Sequence, residues 1–502
     1  MNTDLLFQPG RLGSLTVPNR IVMPPMVLNY ADDDGRVTDR YVAHIERVAR
    51  GGVGTIVLEA SYVTPEGRGF RHQLGVHDDG VVPGLRRAVD AAHRHGAVIG
   101  IQLYHAGRQT SSAVIGGQPV APSSIPCPLM QEMPAELSGE RIAELVRAFG
   151  EAARRAVAAG CDFVEIHAAH GYLINQFLSP FSNRRTDDYG GAFQNRVRFL
   201  DEIINSVRLN VRVPVTVRFS ADEMVPGGLT VNDAIELARH LEAEDIDALH
   251  VSAGNYGSYA RGYMIPPMAR EDGPLIEYAR RVKASVSIPV IAVGKLRDPT
   301  VAAGVLERGD ADFVAIGRGL LADPDWPMKV REGRLAELNL CVTCNQGCVG
   351  RLFAQQDALC TINPETGREA LFASQEHVAP LRFGVIGAGP AGMTAARIAA
   401  LRGHDVTVYE RANHVGGQLD AAGAAPHREN WWMLRDWLAC ELKRLNVPVR
   451  HGTDITENEL DDIEADAFII ATGSRPHQPP FLEVGDTQPR RCRRCIGADD
   501  LG

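Results

Sequence analysis

The 502-residue chain lacks any run of the roughly 18 to 20 apolar residues that would cross a bilayer, and no apolar stretch of signal-peptide length follows Asp4 near its start. It also lacks an excess of positive charge. Lys and Arg number 52 against 62 Asp and Glu, a formal net charge of −10, which argues against nucleic acid or an acidic membrane as the main partner. Cysteine is sparse, nine in all, and four of the nine fall between Cys341 and Cys360. A secreted disulfide framework spreads its cysteines more evenly, so a reducing, cytoplasmic setting is the expectation. What is present suits a globular protein of two or three domains, with 45% hydrophobic and 23% charged residues.

The first 320 residues repeat one pattern of a short β-branched apolar run, a polar or glycine-rich turn and a stretch of helical periodicity. The runs cover 21–26, 53–60, 97–105, 161–169, 213–220, 248–254, 288–295 and 311–319, and the helical stretches include 141–159, 195–207, 231–243 and 274–284. Eight such units predict an α/β fold in which a TIM (β/α)8 barrel closes on itself. Glycines gather after the seventh and eighth runs, at Gly294, Gly317 and Gly319. The last two βα loops of such barrels commonly hold phosphate, so a phosphate-bearing ligand is expected there, tight turns being the alternative. A short charged helix over 329–337 leads out. A cysteine-bearing segment, 336–375, precedes a module at 381–502 that opens as a strand running into a glycine turn and an alanine-rich helix. The expected domains are therefore 1–335, 336–375 and 381–502.

The sharpest motif is Cys341-x2-Cys344-x3-Cys348-x11-Cys360. Thiolates packed this tightly with one distal partner suit a [4Fe–4S] cubane, whereas zinc sites usually pair two CxxC arms. Zinc and incidental cysteines are the alternatives. Cys127, Cys161 and Cys440 read as inert small hydrophobes.

Gly387-x-Gly389-x-x-Gly392 lies between a strand and a helix, and a second strand ends in Glu410. That arrangement aims the glycine amides at a pyrophosphate and the acid at a ribose hydroxyl. Spacing leaves FAD and NAD open. Where the fourth run gives way to its loop, His167, His170 and Tyr172 fall within six residues, and neutral imidazoles with a phenol can polarise a carbonyl and protonate carbon. A structural role for one histidine is the alternative. Gln102 and Arg218 are polar residues in apolar runs, available to a flavin ring or to backbone partners.

Several blocks carry a resemblance. They are Leu6-Phe7-x-Pro9, Asn19 through Met26, Gln102 through Arg108, His167 through Pro180, and Arg184-x-x-Asp187-x-Tyr-Gly-Gly191. On these the first domain resembles Old Yellow Enzyme-type flavoproteins. With the cysteines and the glycine module, the chain to about residue 480 resembles the iron–sulfur branch that includes 2,4-dienoyl-CoA reductase, 2-enoate reductase, bile-acid-inducible reductases and trimethylamine dehydrogenase. The resemblance implies FMN in the barrel, contacted by Pro25, Met26, Val27, Ala60, Gln102 and Arg218, with its phosphate at Lys295, Gly317, Arg318 and Gly319. It also implies FAD at Gly387, Gly389, Gly392, Glu410, Gln418, Arg428 and Ile455, Gly416-Gly417-Gln418 and Ile469 through Ser474 favouring FAD over NAD. Tyr172 matches the family's proton donor, and His167 with His170 the pair that grips the substrate oxygen.

The implied activity is reduction of the C=C bond of an α,β-unsaturated carbonyl compound. Electrons from NADH or NADPH would pass through FAD and the cluster to FMN. An amine or N-methyl dehydrogenase, or a cofactor-binding remnant without NAD(P)H activity, is the alternative. The stretch Gly254-Asn-Tyr256-Gly-Ser258 departs from the dienoyl-CoA reductases, which carry a second catalytic histidine after strand six. The arginine- and cysteine-rich tail through Cys495 reads as a truncated or out-of-register end, so the dinucleotide-binding module is expected to be incomplete. The chain would then act as a homo-oligomer or with a separate electron donor.

Overall fold

A computed structural model describes residues 3–373 and 379–474; the tail through Cys495 lies outside them. Among the described residues no helix is long and apolar enough to cross a membrane. The chain divides into two units, one of residues 1–333 and 343–372, the other of residues 334–342 and 373–502. The segment 336–375, set apart by the sequence reading, is thus shared between the two.

In the first unit eight parallel strands close a barrel: β1 (Ile21–Met23), β2 (Thr55–Tyr62), β3 (Val98–Tyr104), β4 (Phe163–Ala168), β5 (Val215–Ser220), β6 (Ala248–Ser252), β7 (Val290–Val293) and β8 (Phe313–Ala315). They follow in chain order, and β8 returns to β1 through Val314↔Ile21 and Ala315↔Val22. Seven fall inside the predicted runs, and β2 overruns its run, 53–60, by two residues to Tyr62. β1 stops early because Pro24 and Pro25 bring no N–H to a ladder. Helices α1 (Asp39–Arg50), α2 (Val82–His93), α3 (Gly139–Ala158), α4 (Phe193–Asn210), α5 (Val231–Ala243), α6 (Ile276–Lys283) and α7 (Pro299–Glu307) wrap the sheet.

Their starts follow local chemistry: Ser138 accepts the Arg141 amide, and Asp298 accepts the Thr300 amide with Pro299 in the first turn. The helix expected over 329–337 is instead α8 (Trp326–Arg331) followed by a single turn at Leu335–Glu337. Gly333 between them takes φ +71°, a left-handed conformation that ends the first helix.

A hairpin of Gly10–Leu12 and Leu15–Val17, not foreseen from the sequence, supplies Leu12 and Val17 to a cluster with Val22, Val57, Phe163, Ala248, Ile291 and Phe313. Residues 343–372 lie against one face of α1. Arg40, His44 and Arg47, spaced i, i+4 and i+7, meet Asp357, Glu369 and the pair Asp325 and Glu365 respectively.

The second unit holds a parallel sheet of β9 (Arg382–Ile386), β10 (Asp405–Glu410), β11 (Val449–His451) and β12 (Ala467–Ile470), in the order β11-β10-β9-β12. Helices α9 (Pro390–Leu401) and α10 (Asn430–Arg444) accompany it. Cys440, read as an inert small hydrophobe, lies on α10 but is exposed, on the side away from the packed positions Leu434, Leu438 and Leu442.

Candidate active site

Alternation along the strands sorts the barrel interior into levels. Phe163, Glu165 and His167 on β4, Thr216, Arg218 and Ser220 on β5, and Ala248, His250 and Ser252 on β6 share parity. The register aligns His167 with Arg218, Arg218 with His250, and Ser220 with Ser252. Phe163 and Ala248 belong to the apolar cluster beneath. The polar members lie toward the C-terminal strand ends, where barrels of this type place their chemistry.

Glu165 organises the middle level. Its two oxygens take His250 Nδ1 at 2.9 Å and the Gln102 amide at 2.7 Å, wholly buried. Burial raises its carboxyl, but His250, Arg218 and Gln102 outweigh that and hold it below the usual range. Burial and the Arg218 charge push His250 down, so Glu165 and Arg218 form the charged couple and the imidazole is a neutral bridge.

Above them, burial first and then Arg218 drive His167 and His170 well below the ordinary histidine range. Both rings are therefore neutral. His167 Nδ1 accepts the Ala169 amide at 3.3 Å, which puts the ring proton on Nε2. His170 occupies a left-handed conformation (φ +62°) and is held from both sides: its amide donates to Ser220 Oγ at 2.9 Å, and its carbonyl accepts from Gln109 at 2.9 Å. Its Nε2 lies 2.7 Å from Ser252 Oγ. Such over-determined strain is characteristic of functional sites. The Tyr172 ring centroid is 5.0 Å from that of His167 and 6.4 Å from that of His170, so the three residues expected to act together are together.

The residues assigned to FMN converge on the same mouth. Ala60 is register-paired with Gln102 and packs with Tyr62, Tyr104, Tyr172 and Val27. Pro25 and Met26 are half-buried on the loop leaving β1. Gln102 Oε1, Arg218 Nε and His250 Nε2 are buried and have no hydrogen-bond partner within the protein, as expected of groups awaiting the acceptors and donors of a ring. Farther round, Lys295 donates to the carbonyls of Met268 (3.2 Å) and Arg270, and Arg318 to that of Pro266 (2.8 Å). Burial, and then the repulsion of Arg297 and Arg318, lower the Lys295 ammonium despite Asp272 nearby. Three cations against one carboxylate suit a phosphate. These observations fit FMN.

Of the cysteines, Cys344, Cys348 and Cys360 belong to the first unit and Cys341 to the second. Thr343 and Asn345 flank Cys344 with φ of +54° and +60°. The loop is laced to the segment around the distal cysteine by Leu359 N–H to Gly347 O (2.7 Å) and Gly347 N–H to Thr361 Oγ1 (3.1 Å). Left-handed turns of this kind direct amides inward and recur at anion and iron–sulfur sites. Among the described residues no three His, Cys, Asp or Glu side chains are arranged for a single metal ion; a cubane places its four thiolates on four different irons.

In the second unit Gly387 takes φ +106°, and a β-carbon on Gly392 would stand 1.9 Å from the Gly387 carbonyl oxygen. Only glycine allows that helix to approach that turn. Glu410 accepts the amides of Ala388 (2.7 Å) and Ala412 (2.8 Å), clamping the turn, with lone pairs left for a hydroxyl. Gly417 packs beside Gly389, bringing Gln418 near, while Arg428 and Ile455 lie on loops beyond. Sequence reasoning missed Glu165, His250, Ser252, Tyr104, Tyr256 and Arg297. The polar-residue-in-an-apolar-run signal that picked out Gln102 and Arg218 would have found Glu165 and His250.

Comparison with known proteins agrees with this geometry. Residues 5–337 match the NADH:flavin oxidoreductase / NADH oxidase family, and residues 385–428 an NAD(P)-binding Rossmann-like domain. An NADH oxidase of Thermoanaerobacter brockii is 45% identical over 94% of this chain and 73% of its own length. An N,N-dimethylglycine/sarcosine dehydrogenase of Chromohalobacter salexigens is 34% identical over 100% of this chain and 74% of its own. A 2-naphthoyl-CoA reductase, solved with 2-naphthoyl-CoA, superposes with a TM-score of 0.91 at 31% identity, covering 95% of this chain and 75% of that one. The chain is a flavin-dependent oxidoreductase of the NADH:flavin oxidoreductase / NADH oxidase family and belongs to its iron–sulfur, Old Yellow Enzyme-type branch.

Proposed function

We propose that the enzyme reduces the C=C bond of an α,β-unsaturated carbonyl compound, with electrons from NADH or NADPH passing through FAD and a [4Fe–4S] cluster on Cys341, Cys344, Cys348 and Cys360 to FMN. The observation that carries the reading is the convergence of two neutral imidazoles and a phenol over a buried guanidinium. When bound and reduced, FMN supplies a hydride equivalent for the β-carbon. His167 and His170 bind the carbonyl oxygen and stabilise the charge that develops on it. Tyr172 gives its proton to the α-carbon. Gln102 and Arg218 hold the ring, and Lys295, Arg297 and Arg318 the phosphate.

Amine oxidation is the second reading, favoured by the sarcosine dehydrogenase relative and by the tyrosines around Tyr172. Arg218 weighs against it. Its charge depresses both histidines and would equally repel a substrate ammonium, whereas it favours an oxyanion. Tyr172→Phe is expected to slow enone-dependent reoxidation of the reduced protein by about a hundredfold or more, with reduction by NAD(P)H retained. Anaerobic stopped-flow reads both steps. Equal loss in both, or bleaching of the flavin by N-methyl amines but no turnover of enones, would overturn the assignment.

A further inference from the structure

Tyr256 is buried at the start of a short 3-10 helix (Tyr256–Arg261), and its hydroxyl lies 3.1 Å from that of Tyr172. Its place is set from several directions. The Tyr256 amide faces Gln109 Oε1 at 3.4 Å, and the preceding Asn255 caps the turn through Ser258. Asn255 also donates to Glu223 at 3.1 Å and bridges to the His170 backbone. The ring rests against Phe353 with centroids 5.5 Å apart, leaving the hydroxyl directed at Tyr172.

We propose that Tyr256 is a positioning residue for Tyr172: its hydroxyl donates to the Tyr172 oxygen, turns the Tyr172 proton toward the substrate carbon and stabilises the phenolate left behind. The inference rests on the ene-reductase reading. In the step the Tyr172 O–H bond breaks and a C–H bond forms at the α-carbon, the hydride having come from the reduced flavin. Tyr256 keeps its proton, and water later reprotonates Tyr172. The asymmetry of the pair supports this direction. Tyr256 faces Tyr172, Tyr104 and Cys127, and burial with these neighbours holds its phenol well above the usual range. Tyr172 faces Tyr256, Tyr104, Cys127 and the Arg218 charge, and burial raises it while Tyr256, Tyr104 and Arg218 oppose the rise. Tyr172 is therefore the member that gives up its proton.

The test uses the full-length protein with Tyr256→Phe, and with 3-fluorotyrosine incorporated at position 256 as a donor of the same shape and greater strength. NMR titration of ring-labelled tyrosine, assigned with Tyr172→Phe, reads the Tyr172 ionisation without any turnover. Tyr256→Phe is expected to move it upward by about one pH unit or more and to slow reoxidation by 2-cyclohexenone about ten- to a hundredfold. The fluorinated protein is expected to shift the Tyr172 titration downward. An unmoved titration in both proteins overturns the inference, as does a moved titration with enone reoxidation at the native rate. If Tyr256→Phe fails to fold, the fluorinated protein alone decides by the same two readings. Failure of the ene-reductase reading appears separately, as an enone rate indifferent to Tyr172→Phe.

Discussion

His167 on β4 and His170 just beyond its end are buried near Arg218, and burial first, then that charge, sets their working range. Their protonation is suppressed by burial and by the guanidinium, so both rings remain neutral as pH falls through the ordinary histidine value of about 6.5. The acid limb of enone reoxidation attributable to them is expected to lie below that value, and a pH–rate profile measures it. An acid limb at or above it would show that the rings are solvated rather than buried. The same shifts have a stability consequence of definite sign. Because the folded-state values are depressed, the unfolded chain binds protons first, so stability is full above about pH 6.5 and is lost as pH falls toward the folded-state values. Among the residues, Tyr172, His167 and His170 were legible from their spacing. Glu165 and His250 stand out locally only as polar residues in apolar runs, and their partnership shows only where β4 and β6 bring them within 2.9 Å.

At the scale of elements, α1 is a docking face as well as a barrel helix. Arg47 donates twice to Asp325 and once to Glu365, all at 2.7 Å, and so ties the end of the barrel to the segment carrying Cys360. Arg47→Ala leaves two half-buried carboxylates unpaired. It is expected to cost about 1–3 kcal/mol and to raise hydrogen exchange across 357–369, with iron and acid-labile sulfide falling in parallel. Unchanged exchange there would show the tie to be dispensable. The eight strands could be read because β-branched runs punctuated by glycine and proline are local signals. The hairpin at 10–17 could not, because its short strands matter only through the barrel floor they cover.

For the molecule as a whole, the proposed electron path divides the chemistry between the two units. Gly392→Ala places a methyl group 1.9 Å from a backbone oxygen, a clash the glycine turn cannot absorb. Purified protein is expected to lose FAD and NAD(P)H-driven reduction while retaining barrel flavin that dithionite reduces and enones reoxidise. Flavin release with chromatography distinguishes FMN from FAD, and simultaneous loss of both would refute the division of labour.

The alternation of strands and helices, the glycine fingerprint, the cysteine spacing and the histidine–tyrosine block are written in short stretches of sequence, because each follows from backbone geometry or ligand spacing within a few residues. The charge state of the site was decided by tertiary structure. Closing the barrel buries His167 and His170 away from water, and that burial, with the nearby Arg218 charge adding to it, keeps both imidazoles neutral.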